Sequence, residues 1–308
     1  MAPACTPGAP GDEFSPPKPG RAYALDVPTR PAPPGGDPRP TNTTARLGAL
    51  GLAAALLLGA AGCGSSDSGS EGAATDTGTE TEAAVWKVCS DIPYEPFEFE
   101  GEGPRGLEYT GFDIELLDAM AETQDATLEI TDSDFDTIFS AVNAGTCDIV
   151  ASAVTITDER KENSLFTEPY FDADQSLLVP ADSEVETLED LAGETIGVQS
   201  GTTGESYANE NTPEGATVKS FPDAAALFSA IDAGQIAAVL QDLPVNSDRA
   251  GKSDTVKVVG KIPTGEQYGF VVAKDATELQ ATLDEALAAV REDGTYDALY
   301  EQYFPNAG

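Results

Sequence analysis

The chain has 308 residues, with 54 acidic and 16 basic side chains and a formal net charge of −38 at pH 7. Because such an acidic chain repels nucleic acid and anionic surfaces, nucleic-acid binding is excluded as a function. The chain has no histidine, which excludes Ser-His-Asp or Cys-His catalysis and a histidine-ligated metal site. It also lacks P-loop and H-E-x-x-H motifs, so we expect neither a metal nor another cofactor.

Residues 1–62 are predicted to be a Pro-rich leader followed by a signal peptide. Residues 46–63 read RLGALGLAAALLLGAAGC, with one positive residue, a short apolar run and small residues. This pattern is typical of a secretory signal, since a membrane span needs ~20 apolar residues. Residues 60–63 (AAGC) resemble a bacterial lipobox, which implies cleavage before Cys63 and a lipid on its sulfur. An ordinary signal with a coincidental cysteine is the alternative.

Residues 63–83 are predicted to be a flexible acidic tether. They consist mainly of Gly, Ser, Thr, Asp, Glu and Ala, with no large apolar residue that a core would bury. A lipid anchor, a tether and a folded body together place the protein outside the cytoplasmic membrane, attached to its outer face.

The rest of the chain alternates between strand and helix patterns, which predicts an α/β fold with mostly parallel sheets. The predicted strands are 85–90, 126–130, 148–153, 175–180, 195–199, 217–221, 236–240, 256–259 and 268–273. The predicted helices include 112–123, 277–293 and a short aromatic helix through Tyr296, Tyr300 and Tyr303.

A seven-residue pattern occurs twice, 89 positions apart, as FSAVNAG (139–145) and FSAIDAG (228–234). Each copy predicts the end of an amphipathic helix with a left-handed glycine after it, followed by a buried strand and then polar residues. Ligands collect at the carboxyl ends of strands in open α/β sheets. Two such units therefore predict two similar lobes with one ligand between them.

Cys89 and Cys147 are the two cysteines of the predicted folded body. An oxidising exterior permits a disulfide between them. Their positions at offset ends of two strands leave open whether their Cα atoms lie within the ~7 Å limit. A disulfide and two buried thiols both remain open.

Four motifs in order carry a family resemblance: residues 90–97 (SDIPYEPF) with 111–113 (GFD), 155–160 (TITDER), 197–203 (GVQSGTT) and 292–296 (EDGTY). Together they resemble the polar-amino-acid substrate-binding proteins of ABC importers. The resemblance implies a type II periplasmic-binding fold, with two lobes joined by two hinge strands that close on a ligand. Lobe 1 would comprise residues 84–172 and 267–308, and lobe 2 residues 173–266.

We expect Arg160 to hold the ligand's α-carboxylate, because a guanidinium binds a carboxylate with two parallel hydrogen bonds. Backbone N–H groups around Thr155 and Thr203 would add further donors. The alternative is that Arg160 is an exposed residue in the first turn of a helix.

We expect Asp242 to pair with the α-ammonium from the opposite lobe, because a buried ammonium needs a partner. The hydroxyl of Thr155 and the carbonyl of Ser152 or Ala153 would complete this cage. The alternative is that Asp242 only caps the helix that begins at Leu243.

The resemblance places side-chain selectivity at Asp91, Tyr94, Phe135, Gln199 and Gln241. Asp91 would neutralise a distal cation, and the two aromatic rings would enclose an aliphatic stem or a guanidinium. The same set also fits a glutamine-like ligand, while core packing is the alternative role of the two aromatic residues.

The favoured function is therefore a monomeric binding protein that delivers a free amino acid to a membrane permease. An enzyme such as a cyclohexadienyl dehydratase, which has a similar fold, is the main alternative. Asp91, Glu95 and Asp134 are its candidate acid–base groups. A sensor for a signalling partner is the third possibility.

Overall fold

The computed structural model describes residues 83–305. The predicted leader, signal peptide, lipidated Cys63 and nearly all of the tether lie outside the described residues. None of the helices between residues 83 and 305 has the length and apolar character that a bilayer crossing requires.

The described part of the chain contains strands and helices that alternate along much of its length. The strands are β1 (Ala84–Ser90), β2 (Phe99–Glu100), β3 (Tyr109–Thr110), β4 (Ala126–Asp132), β5 (Ile149–Val150), β6 (Ser164–Phe166), β7 (Phe171–Pro180), β8 (Thr195–Gln199), β9 (Thr217–Phe221), β10 (Ala238–Asp242), β11 (Val256–Tyr268) and β12 (Val271–Ala273). The α-helices are α1 (Phe112–Glu122), α2 (Phe135–Asn143), α3 (Asp158–Asn163), α4 (Thr203–Asn211), α5 (Ala224–Asp232), α6 (Leu243–Lys252), α7 (Thr277–Glu292) and α8 (Thr295–Tyr303).

The first lobe contains a five-stranded sheet in the order β4-β1-β5-β12-β6. β1 runs parallel to β4 and β5, whereas β12 runs antiparallel to β5 and β6. Successive residues of β1 face opposite sides: Val88 packs in a cluster with α1 and α7, and Cys89 in a cluster with α2. This alternation is what a strand buried on both faces requires.

The second lobe contains a five-stranded sheet in the order β11-β7-β10-β8-β9. β8 runs parallel to β9 and β10, whereas β7 runs antiparallel to β10 and β11. The predicted two-lobed α/β fold is confirmed. Both sheets are mixed, because strands that enter or leave a lobe add antiparallel pairs beside the parallel units.

Two neighbouring strands connect the lobes. β7 begins at Phe171, directly opposite Tyr268 at the end of β11, and the two strands pair along most of their length. The chain enters the second sheet through β7 and returns to the first lobe after β11. The lobe boundaries after residue 172 and before residue 267 stay a prediction.

Both copies of the repeated pattern end a helix in the same way. After α2, Gly145 has φ 73° and donates to Val142 O, while Thr146 N donates to Ala141 O. After α5, Gly234 has φ 65° and donates to Ile231 O, while the next N–H bonds Ala230 O. These pairs form the Schellman motif, so the predicted left-handed glycines are confirmed.

Some elements differ from their prediction. The predicted strands 256–259 and 268–273 are instead one long strand, β11, and a separate β12. β11 continues through Gly260 and Gly265, both at positive φ, by means of two register shifts against β7. Helix α4 was not predicted because it buries only Gly204 and Ala208 and so lacks an apolar stripe.

A disulfide joins Cys89 in β1 to Cys147 just before β5, with the two Cα atoms 5.8 Å apart. β1 and β5 are adjacent parallel strands, which brings these two positions together. The structure therefore selects the disulfide from the two possibilities that the sequence left open.

Candidate functional site

A cleft lies where strand ends of both lobes meet. Ten of the eleven predicted binding residues line the cleft, and Thr202 joins them. The lining residues are Asp91, Tyr94, Phe135, Ser152, Ala153, Thr155, Arg160, Gln199, Thr202, Thr203 and Asp242.

Strand ends place these side chains at the cleft. In the first lobe, Asp91 directly follows β1, and residues 152–155 follow β5. In the second lobe, Gln199 is the last residue of β8 and Asp242 the last of β10. The carboxyl ends of neighbouring parallel strands share one sheet edge, so each lobe presents a polar edge to the other.

Arg160 is held from both lobes. Its Nη1 donates to Thr155 O at 2.7 Å in the first lobe, and its Nη2 donates to Gly201 O at 3.1 Å in the second. The guanidinium carbon lies 5.3 Å and 5.0 Å from the ring centroids of Phe135 and Phe139. Burial lowers the pKa of the Arg160 guanidinium from its usual value, while the nearby carboxylate of Asp242 opposes that change. A guanidinium keeps its charge under these conditions, so Arg160 provides a fixed cation in the cleft rather than a mobile one at the surface.

Asp242 accepts hydrogen bonds from three side chains. The hydroxyls of Tyr94 and Tyr268 donate to Oδ2, the first at 3.0 Å, and Gln175 Nε2 donates to Oδ1. Burial and the neighbouring Glu266 raise the pKa of Asp242 to about 6, while the three hydrogen bonds oppose that rise. Asp242 occupies the N-cap position of α6, but its side chain makes no capping hydrogen bond. Its carboxylate is therefore directed into the cleft region.

Asp91 lies opposite Gln199 across the cleft. Gln199 Nε2 donates to Asp91 Oδ2, which links the first lobe to the second. Burial raises the pKa of Asp91 to about 7. The hydrogen bond from Gln199 opposes this rise, and the negative charge of Asp223 contributes to it. A cation placed beside Asp91 would favour its charged form.

Two buried carboxyl groups hold the turn that contains Ser152 and Ala153. Ser152 Oγ donates to Glu98 Oε1 at 2.9 Å, and Ala153 N donates to Asp113 Oδ2 at 2.8 Å. Tyr170 OH also donates to Asp113 Oδ2. Ala153 has φ 44°, a left-handed conformation that is unfavourable for alanine and that these contacts maintain. The sequence analysis missed Glu98 and Asp113, although Asp113 stands in the GFD motif.

Glu266 is a further acidic group beside the cleft that the sequence analysis missed. The hydroxyls of Thr155 and Thr203 donate to Glu266 Oε2 at 2.7 Å and 2.8 Å, and Gln175 Nε2 donates to Oε1 at 3.1 Å. A carboxylate only accepts, so both hydroxyls use their protons here and offer lone pairs to a ligand. Within residues 83–305, no group of three or more His, Cys, Asp or Glu side chains is placed to hold a metal ion.

Gln241 does not line the cleft, unlike the other predicted residues. It is adjacent to Asp242 in β10, and successive strand residues point to opposite faces. Its neighbour Val239, on the same face, packs in the cluster with α5. Gln241 is 4% exposed, and its side-chain amide makes no hydrogen bond to any described residue.

The buried carboxyl groups predict a pH dependence of stability. Burial raises the pKa of Asp91 and Asp113 to about 7 and that of Asp242 to about 6, from 3.8. The protonated form of these carboxyl groups is favoured in the folded protein, which stabilises the fold. This contribution to the unfolding free energy is fully present below about pH 4 and is lost as pH rises through 6 to 7. We expect the unfolding free energy of the ligand-free protein to fall by on the order of a few kcal/mol from pH 5 to pH 8. Urea unfolding at both pH values measures it, and greater stability at pH 8 would contradict the buried-carboxyl interpretation.

Comparisons with known proteins identify the family. The family model described as bacterial extracellular solute-binding proteins, family 3, matches residues 86–306. A probable histidine-binding protein of Neisseria gonorrhoeae is 32% identical over 231 residues, which are 73% of this chain and 84% of that protein. The lysine/arginine/ornithine-binding periplasmic protein of Escherichia coli (strain K12) is 31% identical over 230 residues, which are 71% of this chain and 86% of that protein.

A solved structure shares the fold. An ancestral arginine-binding protein bound to glutamine has a TM-score of 0.67 and 34% sequence identity. The match covers 72% of this chain and 98% of that one. With a two-lobed fold, a polar cleft between the lobes and a family match over most of its length, the chain belongs to the family 3 bacterial extracellular solute-binding proteins.

Proposed function

We propose that this protein captures one polar L-amino acid between its lobes and delivers it to an ABC-type permease. The observation that carries the proposal is the pair of opposite charges, Arg160 and Asp242, in one buried cleft. A free amino acid has a carboxylate and an ammonium, and both are costly to bury unless they are paired. The names of the relatives above, which bind histidine or lysine, arginine and ornithine, support the same class of ligand.

The ligand's α-carboxylate would lie against Arg160 and the N–H groups at the start of α4. Its α-ammonium would lie against Asp242 and the lone pair of the Thr155 hydroxyl, which Glu266 orients. The cleft then directs the ligand's side chain towards Asp91, with Tyr94 and Phe135 as walls.

The charge of the cleft favours a basic ligand. Its lining contains two acidic residues, Asp91 and Asp242, and one basic residue, Arg160. The α-ammonium and α-carboxylate balance Asp242 and Arg160, which leaves Asp91 for a cation at the end of the side chain. Glutamine is the second candidate, because Gln199 and a protonated Asp91 would serve an amide.

Titration calorimetry of the full chain against the twenty protein amino acids tests this function. We expect 1:1 binding of one or more polar amino acids, with arginine, lysine, histidine or glutamine the tightest. No binding of any polar amino acid would refute the proposal. Turnover of prephenate or arogenate, lost on Asp91→Asn, would replace it with the enzymatic alternative.

We also propose that the mature protein begins at a lipidated Cys63, with residues 63–83 as a tether and lobes at 84–172 with 267–308 and at 173–266. A lipid anchor keeps a monomeric binding protein near its permease on the outer face of the membrane. Detergent-phase partitioning of the expressed protein, compared with Cys63→Ser, tests the anchor, because only the lipidated form should enter the detergent phase.

A further inference from the structure

Tyr268 lies behind the cleft rather than in it. It is 0% exposed and ends β11, the strand by which the chain returns to the first lobe. Its ring stacks on Phe171 with centroids 5.5 Å apart and contacts the edge of Phe97 at 5.3 Å. Its backbone forms a bridge with Thr155. The first-lobe core and the hinge strands thus fix the ring, and the hydroxyl points at Asp242 of the second lobe.

The ionised form of Asp242 depends on hydrogen-bond donors such as the Tyr268 hydroxyl. Burial and the negative charge of Glu266 disfavour its ionised form. Tyr94, Tyr268 and Gln175 donate hydrogen bonds to it, and Arg160 supplies a positive charge. An ammonium binds a carboxylate far better than a carboxylic acid, so these groups decide how much of Asp242 is ready to bind.

Of the two tyrosines that donate to Asp242, Tyr94 lines the cleft and Tyr268 does not. Removing the Tyr94 hydroxyl would therefore change both Asp242 and the cleft wall. Removing the Tyr268 hydroxyl leaves the lining unchanged and alters only the carboxylate.

We propose that Tyr268 is a positioning residue that keeps the Asp242 carboxylate ionised and oriented for the ligand's α-ammonium, without touching the ligand. This inference rests on the proposed function. Tyr268, at the end of hinge strand β11, would thereby contribute to the affinity for the amino acid. The position of the hinge strand would thereby be coupled to the charge of Asp242.

The test compares the full chain with Tyr268→Phe by titration calorimetry at pH 5.5, 6.5 and 8, with L-arginine and L-glutamine as probes. The Kd ratio of variant to parent at each pH cancels titration of the ligand and of groups common to both proteins. We expect a ratio of about ten at pH 5.5, since a hydrogen bond to a charged group is lost. At pH 8, above the pKa of Asp242 in both proteins, the ratio should shrink to about threefold or less. The Asp242 carboxylate is then ionised in the parent and in the variant alike.

Tyr296→Phe is the matched control. It removes a hydroxyl that donates to the backbone carbonyl of Tyr170 at 2.6 Å, outside the cleft lining, and its ratio should stay near one. A ¹³C titration of the Asp242 carboxyl in the ligand-free proteins is the second readout, and it should show a higher pKa in Tyr268→Phe.

Three outcomes would overturn the inference: a ratio near one at every pH, a ratio above one that does not change with pH, or an unchanged Asp242 titration. If the parent bound neither probe nor any other amino acid, the proposed function would fail. The carboxyl titration would still show whether Tyr268 holds Asp242 in its ionised form.

Discussion

Replacing Arg160 by alanine is expected to weaken amino-acid binding by roughly two to four orders of magnitude. The guanidinium already spans both lobes through Thr155 O and Gly201 O, and its truncation leaves the ligand's carboxylate without a charge partner. Removing one partner of a buried ion pair costs ~3–5 kcal/mol, and ~1.4 kcal/mol is a tenfold change in Kd. Titration calorimetry measures the effect directly.

Two further variants sharpen this test. Arg160→Lys should recover only part of the affinity, because an ammonium lacks the two-pronged geometry. Arg291→Ala is the matched control. Arg291 donates to Pro169 O and lies over the ring of Tyr296, outside the cleft lining, so its loss should leave Kd within about twofold. If Arg160→Ala bound within threefold of the parent, the carboxylate assignment would be wrong.

Replacing Asp91 by asparagine is expected to separate the two candidate ligand classes. The variant keeps the size of the side chain but removes the charge that would pair with a distal cation. We expect binding of L-arginine to weaken by ~2–3 kcal/mol, or roughly 30- to 150-fold. Binding of L-glutamine should change by less than about fivefold, since the introduced amide can hydrogen-bond the ligand's amide as a protonated carboxyl does.

Glutamine serves as the internal control in this experiment, because it shares the α-carboxylate and α-ammonium contacts. Burial raises the pKa of Asp91 to about 7, so arginine binding should also weaken as pH falls below that value. Equal losses for both ligands would indicate that Asp91 supports the structure of the cleft rather than selecting a side chain.

Strand ends and motifs were sufficient to predict most of the cleft. Asp91, Gln199 and Asp242 each stand at or just after the carboxyl end of a strand, which local sequence pattern can locate. Gln241 does not line the cleft, because neighbouring residues of one strand face opposite sides. The resemblance alone did not say whether Gln241 or Asp242 faces the cleft.

The residues that the sequence analysis missed are those brought in by tertiary structure. Tyr268, Glu266 and Gln175 belong to the two connecting strands, where no periodic pattern distinguishes them from surface residues. Glu98 lies in a loop, and its contact with Ser152 spans 54 positions of the chain. Such contacts depend on how distant segments of the chain pack together, which neither propensity nor spacing reports.

The crystal structure of this protein with the amino acid that binds most tightly in the calorimetric screen tests the central claim most directly. We predict one ligand molecule between the lobes, with its α-carboxylate within hydrogen-bond distance of both terminal nitrogens of Arg160 and its α-ammonium on Asp242. A ligand bound outside this cleft, or one whose ammonium lies away from Asp242, would contradict the account.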